Sequence, residues 1–158
     1  MYKENTLLEF ALKYYDMGLQ PIPIGEITLD EKGKKKFFPL IGWKDKGDNP
    51  FTRDEVIENF DLANVKNIGI RTGKVSNLIV IDVDQDADKV FIEEYLSGLQ
   101  TVVVYTQSGG KHHWFKHPGF HVKTCAGELA KGIDVRGDGG FVFAPPSKTK
   151  EGGLYVFQ

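Results

Sequence analysis

A chain of 158 residues with 41% hydrophobic and 12% aromatic content can bury the core of one domain and falls outside the disordered class. Its formal net charge of −2 excludes a global pull toward nucleic acid or membrane, so any such attraction has to come from local patches. The single cysteine, Cys125, excludes an intrachain disulfide and a cysteine-rich zinc module, and no stretch reaches the ~20 apolar residues of a membrane span. The first residues lack the apolar core of a secretion signal, which makes the cytoplasm the expected location. Charge is unevenly placed: six lysines and one acid, Asp45, lie between Lys32 and Lys46, whereas acids gather from Asp84 to Glu94. Such a lysine run is either a solvated face or a steering patch.

In chain order, Asn5 or Thr6 is placed to cap a helix through Leu7, Leu8, Phe10, Ala11, Leu12, Tyr14 and Tyr15, with Gly18 as its left-handed stop. Residues 19–25 carry two prolines and read as an extended edge segment. Residues 26–36 are polar and lysine-rich, expected as a mobile hairpin or loop ahead of the Gly42-Trp43-Lys44 step. Thr52-Arg53-Asp54-Glu55 has capping-box spacing and opens a helix predicted to turn Val56, Ile57 and Phe60 inward. Residues 67–73 read as a short strand leaving through a glycine turn. Leu78-Ile79-Val80-Ile81 is an apolar run expected as a central strand buried on both faces. Residues 87–96 are predicted as a helix with Val90, Phe91, Tyr95 and Leu96 in the core. Residues 101–106 and 111–115 pattern as a hairpin around Ser108-Gly109-Gly110. Ile133–Arg136 and Phe141–Ala144 are expected to form another hairpin through Gly137-Asp138-Gly139-Gly140. Pro145-Pro146-Ser147 ends it, and Leu154 starts a last strand at the end of the chain, as in a domain cut from a longer protein. Strands in hairpins with helices before and between them give an α+β class with a largely antiparallel sheet, helices on one face and ligand on the other.

Chemistry concentrates at three places. Asp82 and Asp84 end the central strand, and a side-chain period of two puts both on the face of Leu78 and Val80. Adjacent carboxylates repel unless a cation lies between them, and their oxygens suit Mg²⁺ or Mn²⁺; the plain alternative is a strand entering an acidic loop. On the second hairpin His112 and Trp114 share one face, His113 and Phe115 the other. Ser108-Gly109-Gly110 can bring backbone N–H groups close to an anion, with His112 sited to donate to a phosphate oxygen; ordinary turn chemistry is the alternative. A zinc site from His112, His113, His117 and His121 matches no helical or knuckle spacing. Asp134 and Arg136 share a face opposite Ile133 and Val135. Asp134 is placed to complete a three-carboxylate cluster and Arg136 to meet a triphosphate or counter the acids, unless the two form an ion pair on a solvated face.

Read together, these segments resemble the bifunctional primase-polymerase (prim-pol) domain of the archaeo-eukaryotic primase superfamily, known from plasmids, phages and their hosts. The resemblance runs over Gly42-Trp43-Lys44, Thr52 and its helix, Asn67-Ile68-Gly69, Asp82-Val83-Asp84, Ser108-Gly109-Gly110-Lys111-His112, Gly132-Ile133-Asp134-Val135-Arg136-Gly137 and Pro145-Pro146-Ser147. It implies that Asp82, Asp84 and Asp134 are ligands of Mg²⁺ or Mn²⁺ and that His112 contacts the incoming nucleotide's phosphates. Ser108, Gly109, Gly110, Lys111 and Arg136 are, from their own chemistry, candidates for further nucleotide contacts. The implied fold is an RNA-recognition-motif-like sheet packed with an N-terminal α/β unit, the active site lying in the cleft between them.

The implied activity is that of a DNA primase and polymerase, moving nucleotides from nucleoside triphosphates to a 3′-hydroxyl on a single-stranded DNA template with its primer. A downstream helicase domain is the implied neighbour. Lys34, Lys35, Lys36 and Lys44 are candidate contacts for the template backbone. The zinc-binding insertion of many relatives is missing. Ranked below that reading, the same acids could activate water in a metal-dependent nuclease or phosphohydrolase, and the open sheet face could serve a non-catalytic nucleic-acid-binding module.

Overall fold

The computed structural model describes residues 6–158. Helix α1 (Thr6–Asp16) buries Ala11 and Tyr14 and stops where Gly18 takes a φ of 84°, as its pattern predicts; Asn5, the alternative cap, lies outside the described residues. Strand β1 (Gln20–Ile24) is an edge strand of an antiparallel sheet ordered β1-β4-β10, with β4 at Asn67–Arg71 and β10 at Phe141–Ala144. Helix α2 (Arg53–Phe60) starts at the expected capping box: the Thr52 side chain accepts from the Glu55 N–H, and the Glu55 carboxylate accepts from the Thr52 N–H. Its inward face is Val56 and Phe60; Ile57 lies about 100° further round and is 38% exposed, so it does not join the core. Both helices pack on β1, and α1 also reaches β4. A hairpin of β2 (Thr28–Leu29) and β3 (Lys35–Lys36) springs from this unit.

Two motifs of the resemblance serve this layer. The Ser147 hydroxyl accepts from the Ile68 N–H at 2.9 Å and donates to the Ile68 carbonyl at 3.0 Å, while Asn67 donates to Gly25 O at 2.8 Å and accepts from the Lys148 N–H at 2.8 Å. Both side chains are buried and substitute for strand partners that the interrupted sheet lacks there.

The second sheet is antiparallel and six-stranded, ordered β11-β6-β7-β5-β9-β8. Its members are β5 (Leu78–Val83), β6 (Val102–Tyr105), β7 (Lys111–Lys116), β8 (Cys125–Ala130), β9 (Ile133–Arg136) and β11 (Val156–Phe157). The apolar run is central as expected, although Ile79 and Ile81 are only half-buried. Leu78, Val80, Val104 and Trp114 join one core with the N-terminal helices and sheet. The opposite face, through Val83 and Ile133, packs on Ala87 and Leu96.

Two further expectations are corrected. Ile133–Arg136 and Phe141–Ala144 are not a hairpin: β9 pairs with β5 and β8, whereas β10 crosses to β4 in the other sheet, turned there by the glycine-rich link. The helix over 87–96 is one α turn, α3 (Lys89–Phe91), running into a π segment (Ile92–Leu96). Val90 is 72% and Tyr95 56% exposed, and Ile92 packs inward instead. In keeping with their spacing, the four histidines do not converge: His112 and His113 occupy opposite faces of β7, and His117 and His121 sit on Asp138. The architecture is the α+β arrangement expected, with a cleft between the two sheets.

Ile70, fully buried in β4 between β1 and β10, tests that shared core. Ile70→Ala is expected to lower stability by about 2–5 kcal/mol in urea unfolding, with the dependence on urea unchanged.

Candidate active site

Register places the acidic strand ends side by side. Asp82 is paired directly with His112 on β7 and with Asp134 on β9, so the three side chains form a row across three neighbouring strands. His112 Nε2 lies 3.5 Å from Asp82 Oδ1. Arg136, two residues beyond Asp134 and therefore on the same face, places one nitrogen, Nη2, 2.9 Å from Asp134 Oδ2 and 3.3 Å from Asp82 Oδ2. The other Asp134 oxygen accepts from the Gly127 N–H at 2.9 Å, within a register irregularity of β8. Asp84 follows at the mouth of β5, where its N–H donates to the Gly132 carbonyl at 2.9 Å and its carboxylate reaches solvent. Burial, then the negative charges of Asp82 and Asp134, raise its pKa above the usual carboxylate range.

Asp82, His112 and Arg136 form one wall of a cleft of about 230 Å³ that also includes Lys35, Phe37, Phe141 and Phe143. Lys35 donates to the Tyr155 hydroxyl at 3.3 Å and lies over the Phe143 ring at 5.5 Å. Burial lowers its pKa, and Asp82 is the strongest opposing charge. Tyr155 is 1% exposed, and burial followed by Asp82 raises its phenol pKa. Among the lysines proposed from sequence as template contacts, Lys35 therefore faces the carboxylates, while Lys34, Lys36 and Lys44 are exposed. The alternating exposure of Lys34, Lys35 and Lys36 is the period-two signature of β3, too short a strand to be read from three identical letters. Tyr155 carried no signal at all, since it reaches the site only through the folding back of the chain's last strand.

The glycine turn has a different role from an open anion cradle. The Gly109 N–H donates to the Thr106 carbonyl at 3.1 Å and the Gly110 N–H to the Thr106 hydroxyl at 3.1 Å, so both are used within the turn. A side chain at Gly110 would collide with the Val83 carbonyl, so glycine there lets the turn close over the end of β5. Ser108 sits at the tip with its hydroxyl 3.3 Å from that of Thr106. Lys111 points away from the row, its Nζ over the Tyr105 ring at 5.4 Å.

The donor chemistry of Asp82, Asp84 and Asp134, hard oxygens on one face, fits a divalent ion such as Mg²⁺. Among the described residues, no three His, Cys, Asp or Glu side chains converge closely enough as placed to hold one. At this row the guanidinium of Arg136 takes an oxygen from each of two carboxylates.

His112 is 3% exposed, and burial pushes its pKa down to about 4 against the opposing pull of Asp82; its Nδ1 has no partner among the described residues. The imidazole is therefore neutral at pH 7. As pH falls, the unfolded chain takes up this proton first, so the contribution to stability is complete above about pH 6.5 and is lost on descent toward about pH 4. Urea unfolding at pH 7 and 4.5 is expected to show a loss that His112→Gln reduces by about 1–3 kcal/mol; an equal loss in both proteins contradicts the assignment.

No curated protein sequence matches the chain. The family model described as bifunctional DNA primase/polymerase, N-terminal, matches residues 11–158, a span that includes both sheets, the carboxylate row and the cleft. The chain thus belongs to the bifunctional DNA primase/polymerase N-terminal domain family.

Proposed function

We propose that the domain catalyses template-directed nucleotidyl transfer. The 3′-hydroxyl of a primer attacks the α-phosphorus of a nucleoside triphosphate, a phosphodiester bond forms, and pyrophosphate leaves. The observation that carries this reading is the row His112, Asp82, Asp134 in register across three strands, with Asp82 and His112 lining a cleft that also contains Lys35 and Arg136.

Asp82, Asp84 and Asp134 are the residues that would hold Mg²⁺ or Mn²⁺. Such an ion, when bound, lowers the pKa of the attacking hydroxyl and offsets the charge of the departing pyrophosphate. Arg136 changes partners during the cycle, leaving the carboxylates for the triphosphate, whose oxygens match its planar fork. Lys35 approaches the same phosphates from the β2–β3 hairpin, and Ser108 offers a hydroxyl at the turn beside Asp84. His112, uncharged because it is buried, keeps a single N–H and donates it to a phosphate oxygen or to Asp82. Phe37, Phe141 and Phe143 form the apolar wall of the cleft and exclude water from the reacting groups. The nucleic-acid partners are a single-stranded DNA template and its primer.

Primer extension with Mg²⁺ or Mn²⁺ tests this reading. Asp82→Asn and Asp134→Asn are each expected to reduce extension by about 100-fold or more, beyond the ~10–100-fold typical of losing an outer partner of a metal ligand. A folded Asp134→Asn protein that extends at the parental rate overturns it.

A further inference from the structure

The Gly42-Trp43-Lys44 motif lies outside the Asp82 cleft, one side chain away from it. Trp43, 7% exposed, packs edge-on against Phe141 with ring centroids 5.3 Å apart, and Phe141 lines the cleft. Trp43 also lines a second depression of about 300 Å³ with Lys44, Arg71 and Thr72. A third depression, about 410 Å³, shares Asp48 and Gly139 with the second and extends past Lys74, Phe120 and His121. The second and third depressions adjoin as one track through Asp48 and Gly139, and the Trp43–Phe141 ring contact separates them from the cleft.

The chemistry along this track is that of a receptor for anions and flat rings. Arg71 is 2% exposed and donates to the carbonyls of Asn49 at 3.0 Å and Gly47 at 2.7 Å, with no carboxylate at ion-pair distance among the described residues. The buried Nε1 of Trp43 also lacks a partner among them. Lys44 and Lys74 are exposed, and the Phe120 ring is 69% exposed beside them. Of the two acids on the track, Asp138 is already engaged. It accepts from the backbone N–H groups of Val122 at 2.7 Å and Lys74 at 2.9 Å, and lies 3.2 Å from His117 and 3.3 Å from His121. Asp48 is the remaining adverse charge.

We propose that this track binds a single strand of nucleic acid, its phosphates along Lys44 and Lys74 above the buried Arg71 and a base stacked on Phe120. An unpaired polymer of phosphates and aromatic bases matches alternating cations and an exposed ring, and its far end reaches the Asp82 cleft past Phe141. The proposal rests on the nucleotidyl-transfer reading for the strand's identity and adds where that strand runs.

Anisotropy of a fluorescein-labelled oligothymidylate, with the whole chain in EDTA and no nucleotide, tests it apart from catalysis. Lys74→Glu and Phe120→Ala are each expected to weaken binding by about fivefold or more. Asp48→Asn is expected to tighten it, which a misfolded protein does not do. Lys74→Ala is expected to reduce the slope of log K against log salt by about 0.7. Lys66→Glu, an exposed charge at the opposite end of β4, is expected to leave affinity unchanged. Parental affinity in both Lys74→Glu and Phe120→Ala overturns the track, whatever primer extension shows. Extension by Asp82→Asn alongside lost binding in the track variants overturns the catalytic reading alone.

Discussion

Carboxylates placed opposite one another on adjacent strands are a strained arrangement, and the rest of this molecule is organised around tolerating it. Cross-strand neighbours stand about 5 Å apart, and at an effective dielectric of about 20 two like charges at that distance repel by as much as about 3 kcal/mol. That exceeds the ~1 kcal/mol net value of an ordinary hydrogen bond. Asp82 and Asp134 are directly paired, and Asp84 feels both. Arg136 answers the repulsion by sharing one nitrogen between two carboxylates, and Lys35 adds a second cation across the cleft. Both cations are of the kind that a triphosphate engages, so under the proposed function the groups that offset the row's repulsion are also the ones that would meet the nucleotide.

Packing explains why the row can be maintained. Along one face of β5 the side chains pass from Leu78 and Val80, inside the larger core, to Asp82 at the cleft. Two sheets close on the apolar part and diverge at the polar part, so a continuous core holds a site that opens to solvent. The opposite face has its own smaller core around Val83 and Ile133, which fixes the strand ends from behind. Positioning comes mainly from backbone groups: the Gly127 N–H on Asp134, the Gly132 carbonyl on Asp84, and a Gly110 without a side chain that lets the turn close over β5.

The carboxylate row was legible because alternation and apolar runs are local signals. Leu78 to Asp84 specified a central strand with two acids on one face, and Ile133 to Arg136 specified which pair faced which. The capping box at Thr52 and the stop at Gly18 were equally local. What sequence reading missed is tertiary. The link from Ile133–Arg136 to Phe141–Ala144 has hairpin letters, yet β10 exchanges sheets because β4 offers an open edge, which no local pattern records. β8 escaped notice because Cys125-Ala126-Gly127-Glu128-Leu129-Ala130 lacks alternation and bends at an irregularity. Lys35 and Tyr155, separated by 120 positions, meet only after both sheets have packed. Trp43 and Arg71 read as ordinary core and strand letters, and only the fold shows that the Trp43 Nε1 has no partner among the described residues and that backbone carbonyls, not a carboxylate, hold the Arg71 guanidinium.

The central claim is that the place between Asp82 and Asp134 belongs to an ion when nucleotide is present and to Arg136 when it is not. Anomalous diffraction from crystals grown with Mn²⁺ and a non-hydrolysable nucleoside triphosphate examines that exchange directly. The account expects a manganese peak coordinated by Asp82 and Asp134, with the Arg136 guanidinium moved onto the phosphates. A bound nucleotide with Arg136 still bridging the two carboxylates, and manganese elsewhere or nowhere, would contradict it.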